Sequence, residues 1–196
     1  MNWIVVAYYC GHPIYEESSK RLIQSMDKFN IPYDVEKLPS RGDWYTNMQV
    51  KPTFVRDMMI KHSTKSIVYL DVDAEFVAYP KVFDSLDASL LDNVAVHVLD
   101  HSKYRRKTHA PEMLSGTVFL KNNQFTAAIV SEWINECSKD PKLWDQHALQ
   151  TVLNKYGFTN LPEGYTCIFD YMNSVKNKVI IHHQASRVAK RAGLFK

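Results

Sequence analysis

The stretch that most constrains the fold is a short apolar run ending in two carboxylates, Ser66-Ile67-Val68-Tyr69-Leu70-Asp71-Val72-Asp73. β-Branched and aromatic side chains favour a strand, and the unbroken apolar character predicts a strand covered on both faces, as in an α/β sheet. Because side chains alternate along a strand, we expect Asp71 and Asp73 to point the same way at its carboxyl end. Ligands of open α/β sheets bind at that end.

Two carboxylates this close repel each other unless a positive charge lies between them. A hard divalent cation, Mg²⁺ or Mn²⁺, is the usual solution and commonly brings phosphates with it. The alternative is a strand end at which Asp71 and Asp73 simply contact water. The motif is short, so the rest of the chain has to decide between the two interpretations.

Composition excludes several classes of protein. The 196 residues predict one domain, spanning residues 1–196, and 45% apolar with 23% charged residues is typical of a folded globule. A net charge of +3 is too small to indicate nucleic-acid binding by itself. The three cysteines show neither metal-ligand nor disulfide spacing, which predicts a reducing, cytoplasmic location. The first apolar segment is too short to span a membrane, and we expect no membrane association.

The first forty residues predict a β-α-β unit. A strand over residues 3–9 is followed by a helix over residues 14–29 and a second strand over residues 33–38, which favours a parallel sheet with a right-handed crossover. Tyr8 and Tyr9 lie at the end of the first strand, where an aromatic ring can stack on a nucleotide base. The alternative is a core tyrosine with its hydroxyl at the edge.

The middle of the chain alternates predicted helices and strands. A polar loop over residues 39–47 precedes a helix over residues 51–61, which has Pro52 in its first turn and leads into the aspartate-bearing strand. A strand over residues 93–99 precedes a polar connection over residues 100–114. That connection carries the basic loop Lys103-Tyr104-Arg105-Arg106-Lys107, which is either a solvated loop or a contact to a polyanionic acceptor or a phosphate.

The second half continues the α/β pattern. A strand over residues 115–120 begins with Ser115-Gly116, where glycine permits close approach of a ligand. Helices are predicted over residues 124–137 and from Pro141 onward, the latter containing Asp145 and Gln146. A last strand over residues 179–181 ends in His182-His183, and a basic tail with Arg187 follows.

The ordered set of these motifs resembles GT-A-type glycosyltransferases, and most closely the small nucleotide-diphospho-sugar transferases, including compact phage enzymes. The matching segments are Tyr69-Leu70-Asp71-Val72-Asp73, Leu114-Ser115-Gly116-Thr117-Val118-Phe119, Trp144-Asp145-Gln146, Ile180-Ile181-His182 and Arg187. The resemblance implies a single Rossmann-like GT-A domain with a mostly parallel central sheet flanked by helices. It also implies a nucleotide-sugar donor, with UDP as the favoured nucleotide, and Mn²⁺ or Mg²⁺ as cofactor.

The resemblance assigns roles to individual residues. The metal ligands would be Asp71, Asp73 and His182, although alternation alone does not distinguish His182 from His183. The residues expected to bind the donor are Tyr8, Tyr9, Lys51, Asp71, Ser115, Gly116 and Arg187. Two departures bear on the sugar contacts: His147 stands where a third acid often follows, and Ala185-Ser186 replaces a glycine after the late histidine.

Asp145 and Gln146 are the catalytic candidates. An inverting enzyme needs a general base near the acceptor hydroxyl, and Asp145 is the best candidate for it. A retaining enzyme needs no dedicated base, and Gln146 would then lie beside the anomeric carbon. The resemblance favours retention.

Two other functions use the same features. In a haloacid-dehalogenase-type phosphatase Asp71 would be the nucleophile and Asp73 the acid/base, but that motif normally lies on the first strand. A nucleic-acid-binding module would use the basic loop over residues 103–107. The acceptor is open between a glycan, a small molecule, a protein and modified DNA, and the oligomeric state is also open.

Overall fold

The structure is a computed structural model that describes residues 1–104 and 109–191, except for the side chain of Ala189. The basic-loop residues Arg105, Arg106 and Lys107 lie outside the described residues. Strands and helices alternate along the chain as the apolar pattern predicts. In chain order they are β1 (Trp3–Cys10), α1 (Pro13–Lys28), β2 (Tyr33–Leu38), α2 (Trp44–Met48), α3 (Lys51–Lys61), β3 (Ser66–Leu70), β4 (Ala74–Phe76), α4 (Lys81–Ala88), β5 (Val94–Leu99), β6 (Glu112–Leu120), α5 (Gln124–Ser138), α6 (Asp145–Tyr156), β7 (Thr159–Asn160), β8 (Cys167–Ile168), β9 (Ile180–His182) and α7 (Ala185–Arg191).

The central sheet has six strands in the order β2-β1-β3-β6-β5-β7. Strand β1 is parallel to β2 and β3, and β5 is parallel to β7, whereas β6 is antiparallel to both of its neighbours. Five of the six strands therefore run in one direction, which confirms the mostly parallel α/β sheet. The carboxyl ends of β1 and β3 consequently meet at one edge, where the site is built.

Helices cover both faces of this sheet. Ile4 and Val6 of β1 pack into a core shared with α3, α5 and α6, whereas Trp3 and Val5 pack into a second core with α1 and α4. Every residue of β3 is buried. Because neither face of these strands contacts water, their sequences are continuously apolar rather than alternating.

A second, three-stranded sheet has the order β4-β9-β8. Strand β4 pairs antiparallel with β9, which places Ala74 opposite His182. The hydrogen bond from the His183 amide to the Asp73 carbonyl continues this pairing. The small sheet thereby carries the late histidine back to the two aspartates.

Three local predictions were wrong. The connection over residues 100–114 contains a 3₁₀-helix at His101–Tyr104, and β6 already begins at Glu112. The helix predicted from Pro141 begins at Asp145, because the residues from Asp140 to Leu143 form a turn closed by their own backbone hydrogen bond. Helix α2 lies in a segment whose sequence indicated a polar loop. None of the helices formed by the described residues is long and apolar enough to cross a membrane.

Candidate active site

The two aspartates lie in a turn rather than on the strand. Strand β3 ends at Leu70, and the Ala74 amide donates to the Asp71 carbonyl at 2.9 Å, which closes a turn over the motif. The alternation of side chains along a strand therefore does not apply to Asp71 and Asp73. The Asp71 amide donates to the Gly116 carbonyl at 2.9 Å, so the turn is fixed against β6.

The buried His182 faces Asp73. Thr117 Oγ1 donates its single proton to the Tyr165 carbonyl at 2.9 Å and therefore accepts from His182 Nε2 at 2.9 Å. This network assigns the imidazole proton to Nε2 and leaves a lone pair on Nδ1, which lies 3.7 Å from Asp73 Oδ1. Two acceptor atoms that face each other in this way need a cation between them.

Asp73 is ionised. Burial alone would raise the pKa of its carboxyl group, but His182, when its imidazole is protonated, and the Ala185 amide, which donates to Asp73 Oδ2 at 2.7 Å, lower that pKa. His183 points elsewhere: its Nε2 lies 2.7 Å from Glu75 Oε2. Of the two neighbouring histidines, His182 is thus the one that faces the aspartate.

Gly116 provides space beside these groups. A Cβ atom at this position would lie 3.1 Å from Asp71 Oδ2 and 3.3 Å from His182 Nδ1. The missing side chain thus leaves a gap that a carboxylate oxygen and an imidazole nitrogen both border. Oxygen and imidazole donors suit Mg²⁺ or Mn²⁺, so the residues fit such an ion. Within residues 1–104 and 109–191, however, no three His, Cys, Asp or Glu side chains already form a complete metal site.

Asp71 does not complete a metal site with Asp73 and His182, because its Oδ1 atom is bound to Lys51. The buried ammonium group of Lys51 lies 3.0 Å from Asp71 Oδ1 and 2.7 Å from Asp145 Oδ2. It also lies 3.0 Å from Ser115 Oγ, which in turn donates to Asp145 at 2.8 Å. Burial alone would lower the pKa of Lys51, but the charges of Asp145 and Asp71 raise it well above its ordinary value. The lysine is therefore charged and joins the two carboxylates.

The start of α6 positions both catalytic candidates. Trp133 Nε1 donates to the Asp145 carbonyl at 2.8 Å and fixes the first turn. Gln146 Oε1 accepts from the Ser115 amide at 3.2 Å, while Gln146 Nε2 donates to the Glu112 carboxylate. The side-chain amide of Gln146 is thus held in one orientation beside β6.

The remaining expected donor contacts lie around this centre. Tyr8 is nearly fully buried and donates to the Asn47 carbonyl at 2.9 Å, which matches the alternative of a core tyrosine. Tyr9 is only partly buried, and Lys37 Nζ lies 5.9 Å from the centre of its ring. Arg187 lies on α7, with Nη1 3.2 Å from Asp170 Oδ1.

Sequence reasoning missed Thr117, Tyr165 and Glu112, which hold His182 and Gln146 in place. No local pattern marks them, because their partners are far away in the chain. Glu112 fell in a segment that was expected to be loop.

Comparisons with known proteins identify the family and support the fold. The sequence model of the nucleotide-diphospho-sugar transferase family matches residues 17–190. A glycosyltransferase involved in glycosylation of the major capsid of PBCV-1 superposes with a TM-score of 0.67 at 13% identity, covering 98% of both chains. The galactosyltransferase LgtC, solved with donor and acceptor sugar analogues, superposes with a TM-score of 0.54 at 12% identity, covering 98% of this chain and 96% of its own. No curated protein sequence matches the chain significantly.

Proposed function

Because the chain belongs to the nucleotide-diphospho-sugar transferase family, we propose that it is a metal-dependent glycosyltransferase that moves a sugar from a UDP-sugar to an acceptor hydroxyl. The observation that carries the proposal is the pair of acceptor atoms 3.7 Å apart, Asp73 Oδ1 and His182 Nδ1. An ion bound at about 2.1 Å from each atom would remove their repulsion. Two solved proteins of the same fold are described as a glycosyltransferase of a capsid and a galactosyltransferase, which supports sugar transfer.

Asp73, His182 and Asp71 would hold Mn²⁺ or Mg²⁺. A divalent ion supplies positive charge where the departing nucleoside diphosphate becomes more negative. Asp71 reaches such an ion only through Oδ2, which borders the gap at Gly116, because Oδ1 is bound to Lys51.

Other residues bind and orient the donor. Arg187 lies on the helix that follows His182 and exchanges its exposed ion pair with Asp170 for the donor diphosphate. Tyr9, at the accessible end of β1, contacts the base, and Ser115 with Gly116 allows the sugar to approach the backbone. Lys51 joins the Asp71 and Asp145 carboxylates through one ammonium group.

The geometry favours retention of the anomeric configuration. A general base must have a free lone pair near the acceptor, but Asp145 is buried, bound to Lys51 at 2.7 Å and hydrogen-bonded by Ser115. These two contacts occupy Asp145 Oδ2. Gln146 carries no charge and lies at the same helix start, where its carbonyl oxygen can support positive charge developing on the sugar.

The testing experiment is thermal unfolding with UDP-, GDP- and other nucleotide-sugars, each with and without Mn²⁺. A ligand that binds only the native state adds about 2.7 kcal/mol of stability at a hundredfold excess over its Kd. We expect one donor to raise the unfolding midpoint only when Mn²⁺ is present. No shift with any donor, or a shift that ignores the metal, would contradict the proposal.

A further inference from the structure

Exposed aromatic side chains lie next to the candidate active site. Trp44 and Tyr45 of α2 are in edge contact, with ring centres 5.1 Å apart, and Trp44 meets Trp144 at 5.8 Å. Trp144 stacks on His147 with ring centres 5.5 Å apart and planes only 10° from parallel. We call these four residues the aromatic strip. Trp144 is 42% exposed, so the strip presents a large ring to solvent.

The strip continues into a cavity of about 540 Å³, which we call the histidine pocket. The residues that line it are His101, His109, Ala110, Pro111, Glu112, His147, Gln150, Thr151 and Asn154. His147 belongs to both features, so the aromatic strip leads directly into the polar cavity. His147 is also the residue at the position where similar glycosyltransferases often have a third acid.

Both features adjoin the reaction centre. Trp144 directly precedes Asp145, and Glu112 in the pocket wall accepts from Gln146 Nε2 and lies 2.9 Å from His101 Nε2. Gln49, just after α2, donates to the carbonyls of Asp140 and Leu143 at 2.8 and 2.9 Å. These bonds fix the Trp44 side of the strip to the Trp144 side, so the surface is preformed.

We propose that the aromatic strip and the histidine pocket together bind the acceptor, and that this acceptor is a neutral oligosaccharide whose chain extends along the strip. The inference rests on the proposed glycosyltransferase function. The terminal sugar would enter the pocket beside Gln146, and the following sugars would lie on His147, Trp144 and Trp44. Trp144 and His147 are parallel, whereas Trp44 meets Trp144 edge-on at 77°, so these rings would contact successive sugars from two directions.

The chemistry of the surface favours sugar over other acceptors. The C–H faces of a pyranose carry partial positive charge and complement the negative face of an aromatic ring. Imidazole, amide and hydroxyl groups in the pocket match sugar hydroxyls as both donors and acceptors. Among the described residues that line the strip and pocket there is no lysine or arginine, while Glu112 is acidic. Among these described residues a nucleic acid, whose affinity comes mostly from phosphate contacts, would meet no compensating charge.

Tryptophan fluorescence tests the inference, because the other two of the four tryptophans, Trp3 and Trp133, are fully buried. The probes are neutral malto-, cello- and manno-oligosaccharides from mono- to hexasaccharide, with acrylamide quenching as the readout. We expect affinity to rise with length and quenching to fall on binding in at least one series. Trp144→Ala should weaken that binding by about tenfold or more, as loss of one well-packed aromatic contact does.

Phe125→Ala is the matched control, because Phe125 is 45% exposed on the neighbouring helix α5 but lies outside the strip. The nucleotide-sugar donor with Mn²⁺ should raise the unfolding midpoint of Trp144→Ala as it raises that of the unmodified chain. If the donor raises neither midpoint, the proposed function fails, and not the inference about the acceptor. Absence of oligosaccharide binding in every series would overturn the inference. Equal oligosaccharide binding by Trp144→Ala and Phe125→Ala would also overturn it. A loss of UDP binding or of single-stranded DNA binding in Trp144→Ala would overturn it as well.

Discussion

The ammonium group of Lys51 lies 2.7 Å from the carboxylate of Asp145, and both side chains are almost completely buried. Lys51 begins α3 and Asp145 begins α6, so the ion pair joins the amino ends of two helices on one face of the sheet. Asp71 shares the same ammonium group at 3.0 Å. A single cation thus links the aspartate turn to the catalytic candidates.

Lys51→Met should lower the free energy of unfolding by about 3–5 kcal/mol, because it leaves the buried Asp145 carboxylate without a counter-charge. Urea denaturation at neutral pH measures this loss. Lys61→Met, at the other end of α3, is the control: Lys61 is half exposed and pairs with Asp34 and Glu36. That variant should lose less than about 1 kcal/mol. Similar losses in the two variants would show that burial of Lys51 does not matter.

Gly116→Ala should weaken Mn²⁺ binding by about 10–100-fold, the range seen when the surroundings of metal ligands are disturbed. The new methyl group would occupy the gap 3.1 Å from Asp71 Oδ2. Isothermal titration with Mn²⁺ and UDP measures the change. Gly157→Ala is the comparison, since Gly157 has a φ of 78° with nothing within 4 Å of its Cβ position. It should lose stability through backbone strain and keep its Mn²⁺ affinity.

Asp73→Asn should abolish sugar transfer while the circular dichroism spectrum stays unchanged. The amide retains an oxygen for the Ala185 amide but removes the negative charge opposite His182. Release of UDP from the donor, followed by chromatography, measures the activity. Asp170→Asn, which alters exposed ion pairs with Arg187 and Arg191, is expected to reduce activity far less. Full activity in Asp73→Asn would contradict the metal assignment.

Protonation of His97 should lower the free energy of unfolding in mild acid. Burial lowers the pKa of its imidazole, whose Nδ1 donates to the Leu161 carbonyl at 2.8 Å. In the unfolded chain the pKa is about 6.5, so below that pH the unfolded state binds the proton first and stability falls until the folded pKa is reached. His97→Asn keeps a donor but does not titrate. Urea unfolding midpoints measured between pH 7.5 and pH 5 test this expectation. They should fall more for the unmodified chain than for the variant, by the amount that the titration of one histidine accounts for.

The sequence indicated the sheet because its strands carry their own signal. The apolar runs in β1 and β3 are continuous, that in β5 is interrupted only by His97, and Pro52 marks the first turn of α3. Helix α2 carried no such signal, since it is only five residues long and buries none of them fully. A helix this short depends on its cap at Asp43 and on the tertiary contacts of Tyr8 rather than on periodicity.

The residue types at the site were predictable, but their contacts were not. The short motifs around Asp71, Asp73, Asp145 and His182 are local and can be read from the chain. The bond from Lys51 to Asp145 and the orientation of His182 by Thr117 depend on how distant elements pack. Alternation also fails at Asp71 and Asp73, because the strand ends at Leu70 and both aspartates lie in the turn that follows.

The pairing of β4 with β9 has a consequence for biosynthesis. Asp73 leaves the ribosome long before His182, and the strand that positions the histidine pairs with residues directly after the aspartate turn. Chains fold from the amino end as they are made. The strands of the central sheet are therefore all synthesised before the donor centre is complete, and a translation product interrupted before Ile180 would lack His182 and so could not form that centre.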